Sequence, residues 1–434
     1  MRLRLRTPQA IAGKSLTILA TIAATLLVML LAANFSSGEK IVKQDLPRLY
    51  GVADAQFQRS LSVLLGPQIV GGNKVDTLLN GDQIFPAMLK AVREAKHSVN
   101  LETYIYWSDA IGDELAQALA ERARAGVKVH VLVDWVGSSK MDDKAIKKMK
   151  DAGVAFEKFH PLRWYTLGRI NNRTHRKLMI VDGRIGFTGG VGIAAIWTGN
   201  AHDPEHWRDS HFRFEGPVVA QMQAVFMDNW IKTTGQVLHG QEYFPAVPSV
   251  GTLGAQTFAS SPSGGTESMH LMYMLAFTAA KESIYLSSAY FVPDERTRDT
   301  LIEAMKRGVR LKIIMPGKHT DADTVRSASR GMWGELLLAG AEMYEYQPTM
   351  YHCKVLIIDT LLTSVGSTNF DDRSMRLNDE ANVNIYGADF ARGQTVIFEQ
   401  DLAKSRRVTH AMWEKRPVRQ KIWEHMLSYL SPLL

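Results

Sequence analysis

The sequence of 434 residues contains a single cysteine, Cys353. One thiol excludes an intramolecular disulfide, and it excludes zinc and iron–sulfur sites built on several cysteines. Acidic residues are fewer than basic ones, 44 against 51, which gives a formal net charge of +7. This balance favours anionic partners such as phosphate esters, nucleic acid or acidic lipid. The hydrophobic fraction of 46% and the charged fraction of 22% are those of folded proteins, so a disordered or collagen-like chain is excluded.

Charge is also absent from the long apolar run between Ser15 and Phe35. A helix of about 20 apolar residues crosses the roughly 30 Å hydrocarbon layer of a bilayer. The basic residues that precede the run favour a cytoplasmic N-terminus and a body outside the membrane. A cleaved signal peptide is the alternative, although Leu31 fits a cleavage site poorly. We therefore predict a cytoplasmic N-terminus at 1–14, a transmembrane helix at 15–35 and a juxtamembrane segment at 36–84.

The rest of the chain is an internal repeat. The segment AKHSVNLETYIYW at 95–107 resembles AKESIYLSSAYFV at 280–292, and GVKVHVLVD at 126–134 resembles GVRLKIIMP at 308–316. Short apolar strands alternate with helix-like stretches that end at a glycine. This alternation predicts an α/β fold of two similar halves, each with a mixed or mostly parallel sheet and flanking helices. We place the halves at 85–232 and 266–434, with a Gly-, Pro-, Ser- and Thr-rich linker at 233–265.

Each half carries the pattern H-x-K-x4-D. The residues are His175, Lys177 and Asp182 in the first half and His352, Lys354 and Asp359 in the second. Two copies inside a repeat are a specific signal, unlike one short motif. On a strand the histidine and lysine face the same way, whereas the aspartate falls on the opposite face. The first aspartate also begins an Asp-Gly turn, so the residues alone predict structural roles for both aspartates.

Small residues and a later carboxylate follow each motif at equal distances. Gly190 of the first half and Ser367 and Asn369 of the second lie in segments where backbone N–H groups can turn toward an anion. The carboxylates are Asp209 and Glu380. A carboxylate that accepts a hydrogen bond from histidine Nδ1 fixes the tautomer and leaves Nε2 free to react.

Together these motifs resemble the phospholipase D superfamily, and within it the bacterial cardiolipin synthases. The resemblance extends from about residue 85 to the C-terminus, and it includes G-S-x-N-x-D-x-R-S at 366–374 and Trp-Arg-Asp at 207–209. It implies a duplicated α/β fold with one active site on a pseudo-twofold axis. It also implies phosphodiester chemistry through a phosphohistidine, without a metal ion or another cofactor.

The resemblance also implies roles for the motif residues. It makes both H-K-D sets catalytic, with His175 as the nucleophile and His352 as the acid and then the base. Lys177, Lys354 and Asn369 would hold phosphate, with Ser367 and Gly190 also at the substrate. We assign Asp209 to orient His175 and Glu380 to orient His352. One departure is Gly192, where the family often has asparagine.

The predicted function is a phosphatidyltransferase that forms cardiolipin from two phosphatidylglycerol molecules and releases glycerol. The expected location is the bacterial inner membrane, with the body on the periplasmic side and phosphatidylglycerol as the anionic lipid partner. Neither nucleic acid nor a partner protein is expected. The alternatives are a hydrolytic phospholipase D, a nuclease, which a membrane anchor disfavours, and an inactive lipid-binding relative, which only Gly192 favours.

The C-terminal segment predicts an amphipathic helix. Ile422, Met426 and Leu430 recur at a spacing of four, with Trp423 and Leu427 beside them. We expect this helix to pack on the body. Membrane contact is the alternative, given nearby basic residues.

Overall fold

The computed structural model describes residues 8–35, 42, 44, 46–163, 171–262 and 268–429. Residues 1–7 of the predicted cytoplasmic N-terminus lie outside this set, as does Leu430 of the predicted C-terminal stripe. The first helix, α1, runs from Pro8 to Phe35. Within it Leu16–Ala33 has a mean hydropathy of 2.5, and none of this stretch is buried. The predicted apolar helix is therefore present, with the length and composition that a membrane span needs.

The remaining helices flank the sheet. They are α2 (Ala55–Leu65), α3 (Asn80–Glu94), α4 (Ala110–Arg124), α5 (Asp143–Asp151), α6 (Val218–Thr234), α7 (Ser268–Ala279), α8 (Glu295–Lys306), α9 (Asp323–Gly331), α10 (Trp333–Leu338), α11 (Asp372–Arg376), α12 (Ala388–Leu402), α13 (His410–Glu414) and α14 (Val418–Ser428).

The strands form one continuous mixed sheet in the described part of the chain. They are β1 (Val70–Leu79), β2 (Ser98–Thr103), β3 (Lys128–Asp134), β4 (Ala155–Phe159), β5 (Arg173–Thr174), β6 (Leu178–Val181), β7 (Ile185–Gly189), β8 (Ser210–Glu215), β9 (Leu253–Ser260), β10 (Ser283–Ser288), β11 (Arg310–Pro316), β12 (Glu342–Tyr346), β13 (Lys354–Ile358), β14 (Leu362–Gly366), β15 (Asn378–Tyr386) and β16 (Ser405–Val408). Their order is β16-β12-β11-β10-β13-β14-β15-β9-β1-β8-β7-β6-β2-β3-β4, and β5 pairs with β15.

The duplicated α/β class is confirmed, and the sheet is mixed. Parallel pairing joins β2, β3 and β4 in the first half and β10, β11 and β12 in the second. The other strands of the main path pair antiparallel, because hairpins such as β6-β7 and β13-β14 follow the motif segments. The strand–helix alternation also suggested a mostly parallel sheet. That prediction holds only within these two groups of strands and is wrong for the rest of the sheet.

The repeated sequence builds the same unit twice. In β2-α4-β3 the side chain of Asp109 accepts a hydrogen bond from Gly112 N at 3.1 Å, and in β10-α8-β11 Asp294 accepts one from Thr297 N at 2.8 Å. Such N-caps satisfy backbone donors that a helix leaves unpaired. After α4 and α8 the chain turns at Gly126 and Gly308, with φ of +90° and +93°, a backbone conformation that favours glycine.

Three groups of buried apolar side chains form the core. One lies under α3 and α4 of the first half, and one lies under α7, α8 and α10 of the second. The third packs α6 and α12 against strands of both halves, including β8 and β15. The two halves therefore share a core as well as a sheet.

Two predicted boundaries are corrected by the sheet. β1 falls inside the predicted juxtamembrane segment 36–84, and β9 falls inside the predicted linker 233–265. β1 pairs with β8 of the first half and with β9, and β9 pairs with β15 of the second half. The polar composition of β9 concealed a buried strand. Its Gln256 donates to Pro67 O at 2.6 Å, so the amide is satisfied inside the structure.

Candidate active site

The two histidine segments cross the boundary between the halves. β5, which immediately precedes His175, pairs with the start of β15, and His175 N donates to Asp379 O at 2.9 Å. In the other direction His352 N donates to Arg208 O at 2.8 Å. Each histidine is therefore held by backbone of the opposite half.

This crossing reverses the predicted carboxylate pairs. His175 Nδ1 lies 2.8 Å from Glu380 Oε1, and His352 Nδ1 lies 2.8 Å from Asp209 Oδ2. The assignment of Asp209 to His175 and of Glu380 to His352 is wrong. It placed each pair within one half, whereas backbone pairing across the boundary brings each ring to the carboxylate of the other half.

The two carboxylates are buried and fixed by different groups. Glu380 Oε2 accepts a hydrogen bond from Ser367 Oγ at 2.5 Å. Asp209 Oδ1 accepts one from Ser210 N at 2.8 Å. Gly190 occupies the position equivalent to Ser367, and a Cβ there would lie 2.2 Å from Asp209 Oδ1. Gly190 and Ser367, which we predicted at the substrate, both lie against the carboxylates.

The lysines follow the predicted alternation. Lys177 Nζ donates to His175 O at 2.9 Å, and Lys354 Nζ donates to His352 O at 2.7 Å and lies 3.2 Å from His352 Nε2. Cys353 faces the other way, with Sγ 3.7 Å from Ser210 Oγ. Both imidazole rings and both lysine side chains are buried.

Burial and mutual charge set the protonation of these groups. Burial lowers the pKa of His175 to about 4, and nearby Lys177 adds to the decrease while Glu380 opposes it. Burial, reinforced by Lys354, lowers the pKa of His352 well below its usual value. Burial also lowers the pKa of Lys177 to about 7, with Glu380 opposing and Lys354 contributing. Each lysine therefore acts electrostatically on groups of the other half, as expected for one shared pocket.

The carboxylate beside His352 is itself perturbed. Burial raises the pKa of Asp209 to about 6, an effect that Lys354 opposes. Because a carboxylate is a better acceptor when ionised, the hydrogen bond that His352 Nδ1 donates to Asp209 weakens as pH falls through this value.

Aromatic side chains that we did not predict as site residues border both histidines. The ring of Tyr104 lies 5.3 Å from that of His175, edge to face. Trp197 and Trp207 lie 5.5 and 5.2 Å from His352. Trp207 belongs to the Trp-Arg-Asp motif together with Asp209, so the motif could have indicated that this tryptophan lies at the site. No sequence motif marked Trp197.

Trp197 accounts for the departure at Gly192. A Cβ at Gly192 would lie 3.0 Å from Trp197 Cζ3, so the indole fills the space of a side chain there. Its Nε1 donates to Asp209 Oδ2 at 3.1 Å. In the second half Asn369 is buried, and its Oδ1 has no hydrogen-bond partner among the described residues. The pocket is therefore asymmetric, with an amide on one side and an indole on the other.

The motif aspartates lie in turns. Asp182 Oδ1 accepts hydrogen bonds from His97 N at 2.7 Å and Ser98 N at 2.9 Å. Asp359 Oδ1 accepts them from Glu282 N at 2.7 Å and Ser283 N at 2.9 Å. Each carboxylate fixes the start of the neighbouring strand, β2 or β10. The turn after Asp359 keeps the conformation of the Asp-Gly turn, with a φ of +50° at Thr360.

The site is suited to a phosphodiester. Two ammonium groups can neutralise its oxygens, and two imidazoles oriented through Nδ1 present Nε2 as nucleophile or acid. Among the described residues, no three His, Cys, Asp or Glu side chains are grouped so that they could hold a metal ion.

Comparison with known proteins identifies the family. A family model described as cardiolipin synthase, PLD-like domain, matches residues 88–228 and 273–402. Cardiolipin synthase 2 of Bacillus anthracis is 36% identical over 361 residues, which cover 82% of this chain and 70% of that protein. The chain belongs to the cardiolipin synthase family of PLD-like proteins.

Other relatives agree with membership of the cardiolipin synthase family. The probable cardiolipin synthase YwiE of Bacillus subtilis is 35% identical over 397 residues, 90% of this chain and 79% of that one. The crystal structure of phosphatidylserine synthase from Haemophilus influenzae covers 87% of this chain and 98% of its own, with a TM-score of 0.67. At 13% identity the latter likeness shows the fold alone.

The hydrogen bonds that Asp182 and Asp359 accept from backbone N–H groups predict that these aspartates stabilise the fold and take no part in the reaction. Asp182→Ala should lower the free energy of unfolding by about 2 kcal/mol, because backbone N–H groups lose their acceptor. Turnover per folded molecule should remain near wild type. Thermal unfolding and turnover, measured on the same sample, check these two expectations. Asp182→Asn is the conservative control. Full stability with lost turnover would show instead that the carboxylate acts in the reaction.

The pKa of Lys177 predicts an alkaline decline in kcat/KM. Its ammonium charge is present below about pH 7 and is lost as pH rises through that value, so binding of an anionic phosphodiester should weaken. The arginine in Lys177→Arg keeps its positive charge to higher pH. The alkaline decline in kcat/KM of this variant should therefore move to higher pH, whatever its absolute rate. Lys147→Arg on exposed α5 is the control. Superimposable alkaline limbs in wild type and Lys177→Arg would assign the decline to another group.

Proposed function

We propose that this protein is a cardiolipin synthase that joins two phosphatidylglycerol molecules and releases glycerol. The observation that carries the proposal is the crossed pair of contacts between histidine Nδ1 and the opposite carboxylate, beside two buried lysines. Family membership supplies the reaction class, since the relatives are named cardiolipin synthases. Phosphatidylglycerol is proposed because its phosphodiester is anionic and its headgroup bears free hydroxyls.

The first step forms a covalent intermediate. Nε2 of neutral His175 attacks phosphorus, the bond from phosphorus to the glycerol oxygen breaks, and His352 Nε2–H gives its proton to the departing glycerol. The bound anion raises the pKa of His352, which allows that ring to carry the proton. Lys177 and Lys354 neutralise the equatorial oxygens.

The second step transfers the phosphatidyl group. Now neutral, His352 takes the proton from a hydroxyl of a second phosphatidylglycerol, whose oxygen attacks phosphorus. The phosphorus–nitrogen bond breaks, which frees His175 and yields cardiolipin. Water in place of that hydroxyl would yield phosphatidic acid, so the acceptor decides between transfer and hydrolysis.

We further propose that α1 anchors the enzyme in the bacterial inner membrane. Its apolar side chains are uncovered, with Leu16 and Val28 each more than 60% exposed. The modest basic bias of the first 14 residues supports a cytoplasmic N-terminus and a periplasmic body.

The products test the proposal directly. Purified enzyme with phosphatidylglycerol in detergent micelles should release glycerol and cardiolipin in a 1:1 ratio, checked by lipid chromatography and a glycerol assay. His175→Ala should lower the rate by at least about a thousandfold, because the covalent route is lost. Phosphatidic acid as the sole lipid product would make the protein a hydrolase and sink the transferase proposal.

The order of the histidines has its own test. With substrate labelled in the phosphate, denaturation in alkaline detergent, in which a phosphohistidine survives, should trap label on the wild-type chain and none on His175→Ala, since that ring bears the phosphoryl group. His352→Ala keeps the nucleophile and should still be labelled, more slowly. The opposite result, label on His175→Ala and none on His352→Ala, would exchange the two roles.

A further inference from the structure

The outward face of α14 is apolar. Five apolar or aromatic side chains on it are each more than half exposed. They are Val418, Ile422, Trp423, Met426 and Tyr429. Four of them recur at the spacing of one helical face, and Trp423 widens that face on one side. We call these five residues the α14 face. Ile422, Trp423 and Met426 of the predicted stripe therefore face away from the body, whereas Leu427 packs on it.

The inward side of α14 is held by charge. Glu424 is buried and accepts hydrogen bonds from Arg330 Nε at 3.1 Å and from Arg416 Nη1 at 2.5 Å. Leu427 is buried beside it, and a Cβ at Gly331 would lie 2.7 Å from Glu424 O. α14 therefore packs closely on α9 through a buried ion-pair cluster. The outward position of its apolar side is fixed by these contacts.

The character of the α14 face favours a lipid surface as its occupant. Contiguous apolar surface of this kind is unusual on a soluble monomer and marks a site of association. Trp423 and Tyr429 are the residue types that concentrate at membrane interfaces. Lys415 and Arg419 are exposed and form no ion pair with any residue that the structure describes. Their free charges suit anionic headgroups.

The anchor alone leaves the orientation of the body undetermined. Ten residues separate the end of α1 from Leu46, where the chain joins the core of the second half. A chain of that length can span at most about 35 Å, so the anchor holds the body near the bilayer without specifying which of its faces meets the lipid. A second membrane contact would fix the orientation of the body relative to the bilayer. Stable membrane association of peripheral proteins commonly uses two such contacts.

A cavity of about 640 Å³ lies at the C-terminal end of α14, and its lining includes His425, Tyr429, Pro293 and Asp372. Asp372 follows Asn369 of the site by three residues. We propose that α14 lies flat in the headgroup layer with its apolar face in the lipid, and so sets the orientation of the catalytic body. This inference does not depend on which acceptor the enzyme uses.

Fluorescence on the full-length protein tests whether the α14 face lies in lipid. The variant Met426→Cys is labelled at its new cysteine with an environment-sensitive nitrobenzoxadiazole group. The labelled protein is then reconstituted into phosphatidylcholine–phosphatidylserine vesicles. Lys147→Cys on exposed α5 is the matched control, and wild type, whose single cysteine is buried, is the labelling blank. The label at 426 should emit at shorter wavelength in vesicles, and bromine-substituted acyl chains should quench it several-fold more than the control.

The other outcomes each contradict the proposal. A label at 426 that reports water in vesicles would show that the face stays in solvent. Equal quenching at 147 would show that lipid contact is not specific to α14. A protected label without quenching by lipid, together with energy transfer between copies that grows with protein-to-lipid ratio, would assign the face to a second copy. Unfolding temperatures near wild type must accompany each comparison, and catalytic activity is not part of the readout.

Discussion

The hydrogen bonds from each histidine to the carboxylate of the opposite half are the interactions on which the site depends. A neutral imidazole reacts at Nε2 only if Nδ1 carries the proton, and Glu380 and Asp209 impose that tautomer on His175 and His352. Neither half contains a complete pair. The backbone pairing that seats each ring, the shared core and the continuous sheet all maintain this crossing.

Much of this arrangement could be predicted, because it follows from sequence patterns between residues that are close together in the chain. The repeat implied two α/β halves, and the spacing of His175 and Lys177 placed them on one face of an extended segment. The Asp-Gly turn marked Asp182 as structural, and its contacts with backbone N–H groups agree with that interpretation. Resemblance to a known family added the reaction type, which periodicity alone does not encode.

What the sequence concealed concerns contacts between distant segments. Which carboxylate meets His175 depends on β5 pairing with β15, more than 200 residues away. Trp197 reaches Asp209 because Gly192 leaves space for an indole, a matter of volume and not of motif. The stripe containing Ile422 looked like a core face, since periodicity shows that a helix has an apolar side and does not show where that side points. The buried Glu424 decides the direction here.

The ladder through β1 and β9 has a consequence for how substrate enters. Because the sheet continues from one half to the other above a common core, the halves cannot swing apart about a hinge without breaking strand pairs and exposing apolar side chains. Admission of a two-chain amphiphile and departure of a four-chain product must therefore rely on rearrangement of surface loops around a rigid catalytic floor. Turnover would then be gated by segments that lie outside the histidine motifs.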